Sequence, residues 1–279
     1  VWGDFLDELD RVTPDASIIN LETSVTINDE PWPGKGIHYR MHPENVPCLT
    51  AAGIDCCVLA NNHVLDWGRE GLAETLETLR GAGIGTAGAG RDRHETKAPA
   101  VLNMTGSVRV LVFGFGAASS GIPQEWAAAE RGGGVNFLPD LSQQTLLRVA
   151  DQVRGAKREG DVVVASIHWG GNWGYDVPRE QREFAHGLID QAGVDVVHGH
   201  SSHHVKGIEV YRNRPILYGC GDFLNDYEGI PGYEQFRGDL VLAYFPTIDP
   251  SDGKLVGLEM RPFQIRRFLL KRSSAQDAE

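Results

Sequence analysis

Four of the ten histidines lie within seven residues of one another: His198, His200, His203 and His204. They follow a short apolar run at residues 194–197, which is typical of a buried strand. Such a strand would deliver the imidazole rings to one edge of a sheet, and Gly199 would let the backbone turn sharply there. Neutral imidazole nitrogen is the commonest protein ligand for zinc-like metals. The cluster predicts a metal site, although each histidine alone also fits a solvated loop.

Polar side chains of ligand type follow three other predicted strands. They are Glu22 after residues 16–21, Asn62 with His63 after residues 55–60, and His168 after residues 161–167. Open α/β sheets bind ligands at the carboxyl ends of their strands, so we expect these groups to meet the histidine cluster. A mixed oxygen and nitrogen set suits divalent ions of the Mn, Fe or Zn type. The predicted metal ligands are Glu22, Asn62, His168, His200 and His203.

Each predicted ligand also has an ordinary structural interpretation. Glu22 would serve equally as a salt-bridged surface acid, Asn62 as a helix N-cap and His168 as a hydrogen-bonded core histidine. His63 follows Asn62 and would donate a proton or stabilise a leaving oxygen near the metals, with Asp66 orienting it. His63 is compatible also with a cap on the helix predicted at residues 67–81. The predicted catalytic residues are thus His63 and Asp66.

The elements that must position these residues alternate between strand and helix over the first two thirds of the chain. Helices are predicted at residues 1–13, 45–52, 69–81, 140–154 and 178–192, and a hairpin at residues 98–104 and 108–115. Residues 207–211, 215–218, 238–245 and 254–263 are β-type. The glycine-rich residues 83–90 follow a helix, so they predict a strand with tight turns and not a dinucleotide loop. This order indicates an α/β fold with two packed sheets and helices outside.

Composition limits the partners. The 279 residues carry a net charge of −12, which disfavours nucleic acid or an anionic membrane surface as the main partner. No apolar run of about 18 residues predicts a transmembrane helix. The four cysteines, Cys48, Cys56, Cys57 and Cys220, have no C-x-x-C spacing and are interpreted as core thiols. The chain is expected to form one domain over residues 1–270, followed by a polar tail at residues 271–279.

A long loop at residues 23–41 is predicted to act as a flap over the cleft. Its Pro-Trp-Pro-Gly stretch at residues 31–34 offers a stiff aromatic tip, and Lys35 and Arg40 would bring positive charge to an anionic substrate. Three further side chains near the predicted strand ends complete the candidate substrate-binding set: Asn61, His204 and Asp222.

Several stretches resemble the CapA-type poly-γ-glutamate capsule biosynthesis proteins, and they occur in that family's order along nearly the whole chain. They are I-I-N-L-E-T-S-V-T (18–26), L-A-N-N-H-V-L-D-W-G (59–68), G-L-A-E-T-L-E-T-L (71–79), G-A-G (88–90), S-I-H-W-G (166–170), V-D-V-V-H-G-H-S-S-H-H (194–204) and I-L-Y-G-C-G-D-F (216–223). The resemblance implies a four-layer α/β/β/α sandwich of the metallophosphoesterase type. By similarity, Asn62-His63 looks like the Asn-His of the phosphoesterase G-N-H motif, and His200 with His203 like its G-H-x-H pair.

Two departures from the family pattern stand out. The family begins with a strand carrying a Gly-Asp motif whose Asp looks like a metal ligand, and no stretch after Val1 corresponds to it, so this strand is expected to be missing. Ser201-Ser202 replaces a His-Pro spacer and leaves His204 as a rival ligand. The complete protein is expected to bind two metals, and the family suggests the cell envelope or the extracellular face as its location.

These observations predict a metal-dependent hydrolase of phosphoester or amide bonds, with an anionic polymer or a phosphorylated small molecule as substrate. The alternative is a non-catalytic scaffold that binds the acidic polymer or its synthetase.

Overall fold

The computed structural model describes residues 1–227 and 230–277, which form a mixed α/β protein with several sheets. Its α-helices are α1 (Phe5–Val12), α2 (Pro47–Ala51), α3 (Gly68–Gly81), α4 (Arg93–Lys97), α5 (Gln143–Ala156) and α6 (Arg179–Ala192). Its strands are β1 (Ile18–Asn20), β2 (Ser24–Val25), β3 (Arg40–Met41), β4 (Cys56–Val58), β5 (Gly85–Ala87), β6 (Ala89–Gly90), β7 (Ala100–Asn103), β8 (Arg109–Ala117), β9 (Gly134–Val135), β10 (Phe137–Leu138), β11 (Asp161–His168), β12 (Val196–His200), β13 (Ile208–Tyr211), β14 (Arg214–Leu217), β15 (Leu240–Asp249), β16 (Lys254–Arg266) and β17 (Leu269–Arg272).

The largest sheet has the strand order β10-β8-β11-β12-β14-β13, and β7 pairs with β8 at one side. β8, β11 and β12 are parallel neighbours, as a βαβ chain order requires. Every residue of β11 is buried, which agrees with the apolar run at residues 162–165 in its middle. Helices α5 and α6 pack together against one face of this sheet, and their apolar positions recur at helical spacing.

A second parallel sheet has the order β1-β4-β5, and β5 packs against α3. A small apolar cluster joins the two parallel sheets through β4, β5, β7 and β8. The chain next to β5 packs closely against β8 at Gly88, which has φ +81°, since a Cβ there would lie 2.7 Å from the Cα of Gly114. Residues 83–90 therefore contain β5, a turn and β6, as predicted, and glycine is required at position 88 by both conformation and space.

The last third of the chain forms an antiparallel sheet with the order β15-β16-β17. This sheet is tied to the beginning of the chain. The Asp4 N–H donates to Leu270 O at 2.9 Å, and the buried Glu8 carboxylate accepts hydrogen bonds from Arg261 and Arg272. The polar tail was expected from residue 271, but Lys271 and Arg272 belong to β17, since their backbones pair with β16. Ala278 and Glu279 lie outside the described residues.

Two further expectations require correction. The described residues form five sheets instead of two, because β2-β3 and β6-β9 make small separate pairs and β15-β16-β17 forms its own sheet. Gly199 does not turn the chain, since β12 continues through it to His200. A Cβ at Gly199 would lie 2.6 Å from Leu217 O and 2.8 Å from Trp169 Nε1, so glycine is needed there for close packing.

All four cysteines are free thiols, but only Cys56 and Cys57 are fully buried, whereas Cys48 and Cys220 are partly exposed and correct the expectation of four core thiols. Burial raises the pKa of Cys56 to about 12. None of the helices in residues 1–227 and 230–277 has both the length and the apolar character needed to cross a bilayer.

Candidate functional site

The carboxyl ends of four parallel strands meet at one cleft. Glu22 and Asn62 follow β1 and β4 by a few residues, while His168 and His200 are the last residues of β11 and β12. The cleft encloses about 1650 Å³, and Glu22, His200, His203 and Asp222 are among the residues that line it. The convergence expected from the sequence is therefore present, because parallel strands of two facing sheets end on the same side.

His168 Nε2 is the point on which two oxygen donors converge. It lies 3.2 Å from Asn62 Oδ1 and 3.7 Å from Glu22 Oε1. Donors bound to one ion at ordinary distances are separated by about 3.0–3.5 Å, and these two distances are close to that range. Among the residues that the structure describes, no group of three or more His, Cys, Asp or Glu side chains is arranged to hold a metal ion. Asn62 is outside that set of residue types, and metal binding stays a prediction.

Glu22 is held in an unfavourable environment for a carboxylate. Burial in the cleft, and secondly the negative charge of Asp222, raise its pKa to about 7. The Asn20 amide donates to its Oε2 at 3.0 Å, which only partly compensates for the lost water. A divalent cation would replace this repulsion by attraction, so the electrostatics of the cleft favour a cation beside Glu22.

Two of the predicted ligands hydrogen-bond each other directly. His168 Nδ1 lies 2.8 Å from His200 Nδ1, and His200 Nε2 lies 3.0 Å from Ser166 Oγ. Ser166 Oγ is also 2.9 Å from His198 Nδ1. Burial lowers the pKa of His168 to about 3 and of His198 to about 4, so both rings are neutral. Both ring nitrogens of His200 are engaged in this arrangement, and a metal at His200 would have to displace one contact.

The predicted catalytic pair is formed. His63 Nδ1 lies 2.7 Å from Asp66 Oδ2, and the Tyr39 ring stacks on His63 with centroids 4.1 Å apart. Lys35 donates to Asp66 and, at 2.6 Å, to the Asn62 carbonyl. Burial lowers the pKa of His63, with Asp66 opposing the shift, so the ring is neutral near pH 7. Lys35 Nζ lies 3.0 Å from the same Nδ1. In the tautomer that gives the Nδ1 hydrogen to the Asp66 carboxylate, Nε2 keeps the lone pair.

The sequence left open whether His63 or Asn62 caps helix α3 and whether His168 is a core histidine. Trp67 occupies the N-cap of α3 and makes no side-chain capping hydrogen bond, so neither His63 nor Asn62 caps that helix. His168 is a fully buried, hydrogen-bonded core histidine, and its Nε2 lies 3.7 Å from Glu22 Oε1, a residue that lines the cleft.

His203 is oriented by Asp222. Its Nδ1 lies 3.0 and 3.1 Å from the two carboxylate oxygens, and the Tyr227 hydroxyl donates to Asp222 Oδ2 at 2.8 Å. Burial would lower the pKa of His203, but the Asp222 carboxylate outweighs it and raises the pKa. A carboxylate on Nδ1–H is the usual partner of a metal-binding imidazole, so Nε2 of His203 is suited to bind a metal.

Of the other predicted substrate contacts, Arg40 and Asp222 line the cleft, whereas Asn61 does not. Asn61 is fully buried and donates to Asn20 Oδ1 and Leu21 O, so it holds strand ends and does not face a substrate. Arg40 lies over the Trp67 ring at 4.4 Å and donates to a loop carbonyl. Asp222 hydrogen-bonds His203, and Lys35 forms an ion pair with Asp66.

His204 donates from Nδ1 to Val205 O at 2.9 Å and stacks on Phe236. Its buried Nε2 has no hydrogen-bond partner among the described residues. Substrate binding by Lys35, Arg40, His204 and Asp222 stays a prediction.

Sequence reasoning missed three residues of the site: Ser166, Tyr39 and Tyr227. Ser166 had a usable signal, because side chains two apart share one face of a strand. Ser166 and His168 face the same way on β11, and the register pairs them with His198 and His200 on β12. The two tyrosines lie on loops and carried no comparable signal.

The comparisons with known proteins agree on one family. The sequence profile described as bacterial capsule synthesis protein PGA_cap matches residues 1–227. The chain is 47% identical over its whole length to the "probable polyglutamine synthesis accessory protein" of Mycobacterium tuberculosis, covering 73% of that protein. It is 30% identical to capsule biosynthesis protein CapA of Bacillus anthracis, over 69% of this chain and 45% of CapA.

The PGA biosynthesis protein CapA of Bacillus subtilis is 29% identical over 75% of this chain and 52% of its own length. One solved crystal structure aligns with 78% of this chain and 92% of its own at 14% identity, with a TM-score of 0.35 that is too low to transfer a fold. The match to residues 1–227 covers most of the 279 residues. The chain therefore belongs to the PGA_cap family of bacterial capsule synthesis proteins.

Proposed function

We propose that this chain acts in the biosynthesis or turnover of an anionic capsule polymer such as poly-glutamate, as a divalent-metal-dependent hydrolase of phosphoester or amide bonds. The names of its relatives in Mycobacterium and Bacillus support the polymer. The hydrolase is supported by one observation above all, the convergence of Asn62 Oδ1 and Glu22 Oε1 on His168 Nε2.

The fold proposed for this activity is the four-layer α/β/β/α sandwich of the metallophosphoesterases. Its support comes from three packing contacts. Helices α5 and α6 cover one face of the large sheet, a small cluster joins the two parallel sheets, and α3 packs against β5 of the second sheet.

Glu22, Asn62 and His168 would hold one divalent ion, and His203 would offer Nε2 to the same ion or to a second one. When bound, such an ion polarises the scissile group and lowers the pKa of a water. The chain's own contribution is orientation, because Asp222 fixes His203 while Asn20 fixes Glu22.

His63 is assigned the proton transfer. In the tautomer assigned here its Nδ1 donates to Asp66, and the neutral ring then keeps its lone pair on Nε2. His63 therefore first accepts a proton at Nε2 and only then has one to donate to a leaving group. Stacked Tyr39 keeps the ring plane fixed and excludes water from one side.

The test is metal binding followed by turnover. The protein is loaded with Mn²⁺, Fe²⁺ or Zn²⁺, dialysed and measured by elemental analysis, and hydrolysis of p-nitrophenyl phosphate and of a γ-glutamyl peptide is assayed. Glu22→Ala and His168→Ala should each weaken metal binding by more than the roughly 10–100-fold typical of a lost outer-shell partner. His186→Ala is the matched control, since His186 pairs with Glu209 instead. Equal metal content in all three variants contradicts the assignment.

A non-catalytic scaffold is the second candidate. It is favoured by the direct His168–His200 hydrogen bond, which occupies two predicted ligands, and by the word "accessory" in the name of the mycobacterial relative. Because the chain carries a net charge of −12, a scaffold would bind the polymer synthetase more readily than the acidic polymer. Polymer or synthetase binding that survives chelation, with no turnover, supports this alternative.

A further inference from the structure

An unbroken line of hydrogen bonds runs through the ends of β11 and β12. It begins at Asn62 Oδ1, passes through both nitrogens of His168, both nitrogens of His200 and the Ser166 hydroxyl, and ends at His198 Nδ1. The successive distances are 3.2, 2.8, 3.0 and 2.9 Å. Ser166 and His168 are fully buried and His200 nearly so, so water does not substitute for these partners.

The chemistry of these groups restricts where the hydrogens lie. A neutral imidazole has one N–H and one lone pair, and each contact needs one donor and one acceptor. If His168 carries its hydrogen on Nε2, then His200 must carry its own on Nδ1. The Ser166 hydroxyl then donates to His200 Nε2 and accepts from His198 Nδ1.

The opposite arrangement satisfies the contacts from His168 Nδ1 to His198, but it leaves lone pairs of His168 Nε2 and Asn62 Oδ1 facing each other unless a cation lies between them or the Asn62 amide is turned over. His168 then carries its hydrogen on Nδ1, and His200 and His198 carry theirs on Nε2, with the Ser166 hydroxyl donating to His198. Any mixed pattern leaves two lone pairs facing each other or a buried hydroxyl hydrogen without an acceptor, at a cost of about 1–3 kcal/mol. The three rings should therefore change tautomer together.

We propose that Ser166 couples the tautomers of His168, His200 and His198, so that a cation bound at His168 Nε2 turns His198 Nε2 from an acceptor into a donor. A metal ion needs the lone pair of His168 Nε2, and this selects the second arrangement along the whole line. The metal-dependent half of this inference rests on the proposed function, whereas the coupling itself does not.

The consequence is a link between the metal position and the inner part of the cleft. His198 is half-buried and lines the cleft beside Val164 and Val196. Binding energies are reciprocal, so a group that accepts a hydrogen bond from His198 Nε2 strengthens cation binding at His168. A group that donates to His198 Nε2 weakens cation binding, and the cation weakens the binding of that group by the same factor. Ser166 is thus a positioning residue that acts through His200.

The experiment uses ¹⁵N NMR of the histidine rings in the full chain, because the two ring nitrogens have distinct shifts in each tautomer. In the free protein, His168, His200 and His198 should show their hydrogens on Nε2, Nδ1 and Nδ1, or on Nδ1, Nε2 and Nε2. A different combination in the free protein overturns the coupling.

Zn²⁺ alone is then titrated into the wild type and three variants. His198 should move its hydrogen to Nε2, or keep it there, as His168 Nε2 binds zinc in the wild type and in Ser166→Thr, which retains the hydroxyl. In Ser166→Ala the tautomer of His198 should no longer follow zinc. Ser24→Ala is the matched control, a buried serine whose hydroxyl bonds only the carbonyls of His63 and Val64.

Each outcome discriminates. Zinc bound at His168 with the His198 hydrogen still on Nδ1 refutes the coupling, as does an unaltered response in Ser166→Ala. Failure of zinc to bind at all refutes the proposed metal site, and the pattern in the free protein then decides the coupling by itself.

Discussion

The ion pair between Lys35 and Asp66 should contribute most of the energy that fixes the loop at residues 23–41 beside the cleft. The Asp66 side chain is fully buried and accepts hydrogen bonds from Lys35, His63 and the Tyr39 backbone N–H, while the Lys35 side chain is 19% exposed. Asp66→Asn keeps the shape but removes the charge, and leaves the Lys35 ammonium without its partner. Breaking one side of a buried pair costs about 3–5 kcal/mol of unfolding free energy.

Lys35→Met should lower the free energy of unfolding by less, about 1.5–3 kcal/mol, because Asp66 still accepts hydrogen bonds from His63 and the Tyr39 N–H. In the double variant both charges are gone, so its loss should fall short of the sum of the single losses by about 1.5–3 kcal/mol. Urea unfolding of the metal-free protein measures all three values.

Asp252→Asn is the matched control, because Asp252 pairs with Lys254 at the surface, where solvent screens the charges. That variant should unfold at the wild-type urea concentration within error. Strictly additive losses for Lys35 and Asp66, or a loss in Asp66→Asn no larger than in the control, would refute the reasoning.

Three other measurements follow from the structure. The pKa of Glu22 is raised to about 7 in the folded chain. Between about pH 4.5 and 7 the folded state therefore binds more protons than the unfolded state, and the free energy of unfolding falls as the pH rises. Glu22→Gln should abolish this fall in chelated protein, as measured by urea unfolding across that range. Cys56, whose thiol is buried with a pKa of about 12, should react with a thiol reagent only after unfolding, and rapid modification of the native chain contradicts its placement. Gly88→Ala should destabilise by about 1–3 kcal/mol more than Gly106→Ala, since both glycines have positive φ but only the first would press a methyl group against Gly114.

Much of the site could be predicted because parallel strands end together. Apolar runs marked β1, β4, β11 and β12, and a polar residue at the end of each run was enough to expect Glu22, Asn62, His168 and His200 in one cleft. The family resemblance agreed with this expectation and with the match to the capsule synthesis profile.

What could not be predicted depends on contacts between distant segments. Tyr39 and Tyr227 stack with centroids 6.5 Å apart, although 188 residues separate them and neither follows a strand. Gly199 looked like a turn because glycine often permits one, but the need at that position is space beside Leu217, which only the paired strands reveal. Asn61 looked available because asparagine is usually exposed, and its burial follows from bonds to the end of β1.

The tie between α1 and β17 has a consequence for the order of events during synthesis. Arg272 and Glu8, which hold the two ends together, are 264 residues apart. Phe5 packs edge-on against Phe223 and Phe263, so the apolar face of the first helix acquires these partners only after residues 223 and 263 have been synthesised. Contacts of such long sequence separation form slowly and leave an early apolar surface open to aggregation. Chaperones that bind nascent chains should therefore recognise the first helix, and a chain ending before residue 261 should stay bound to them.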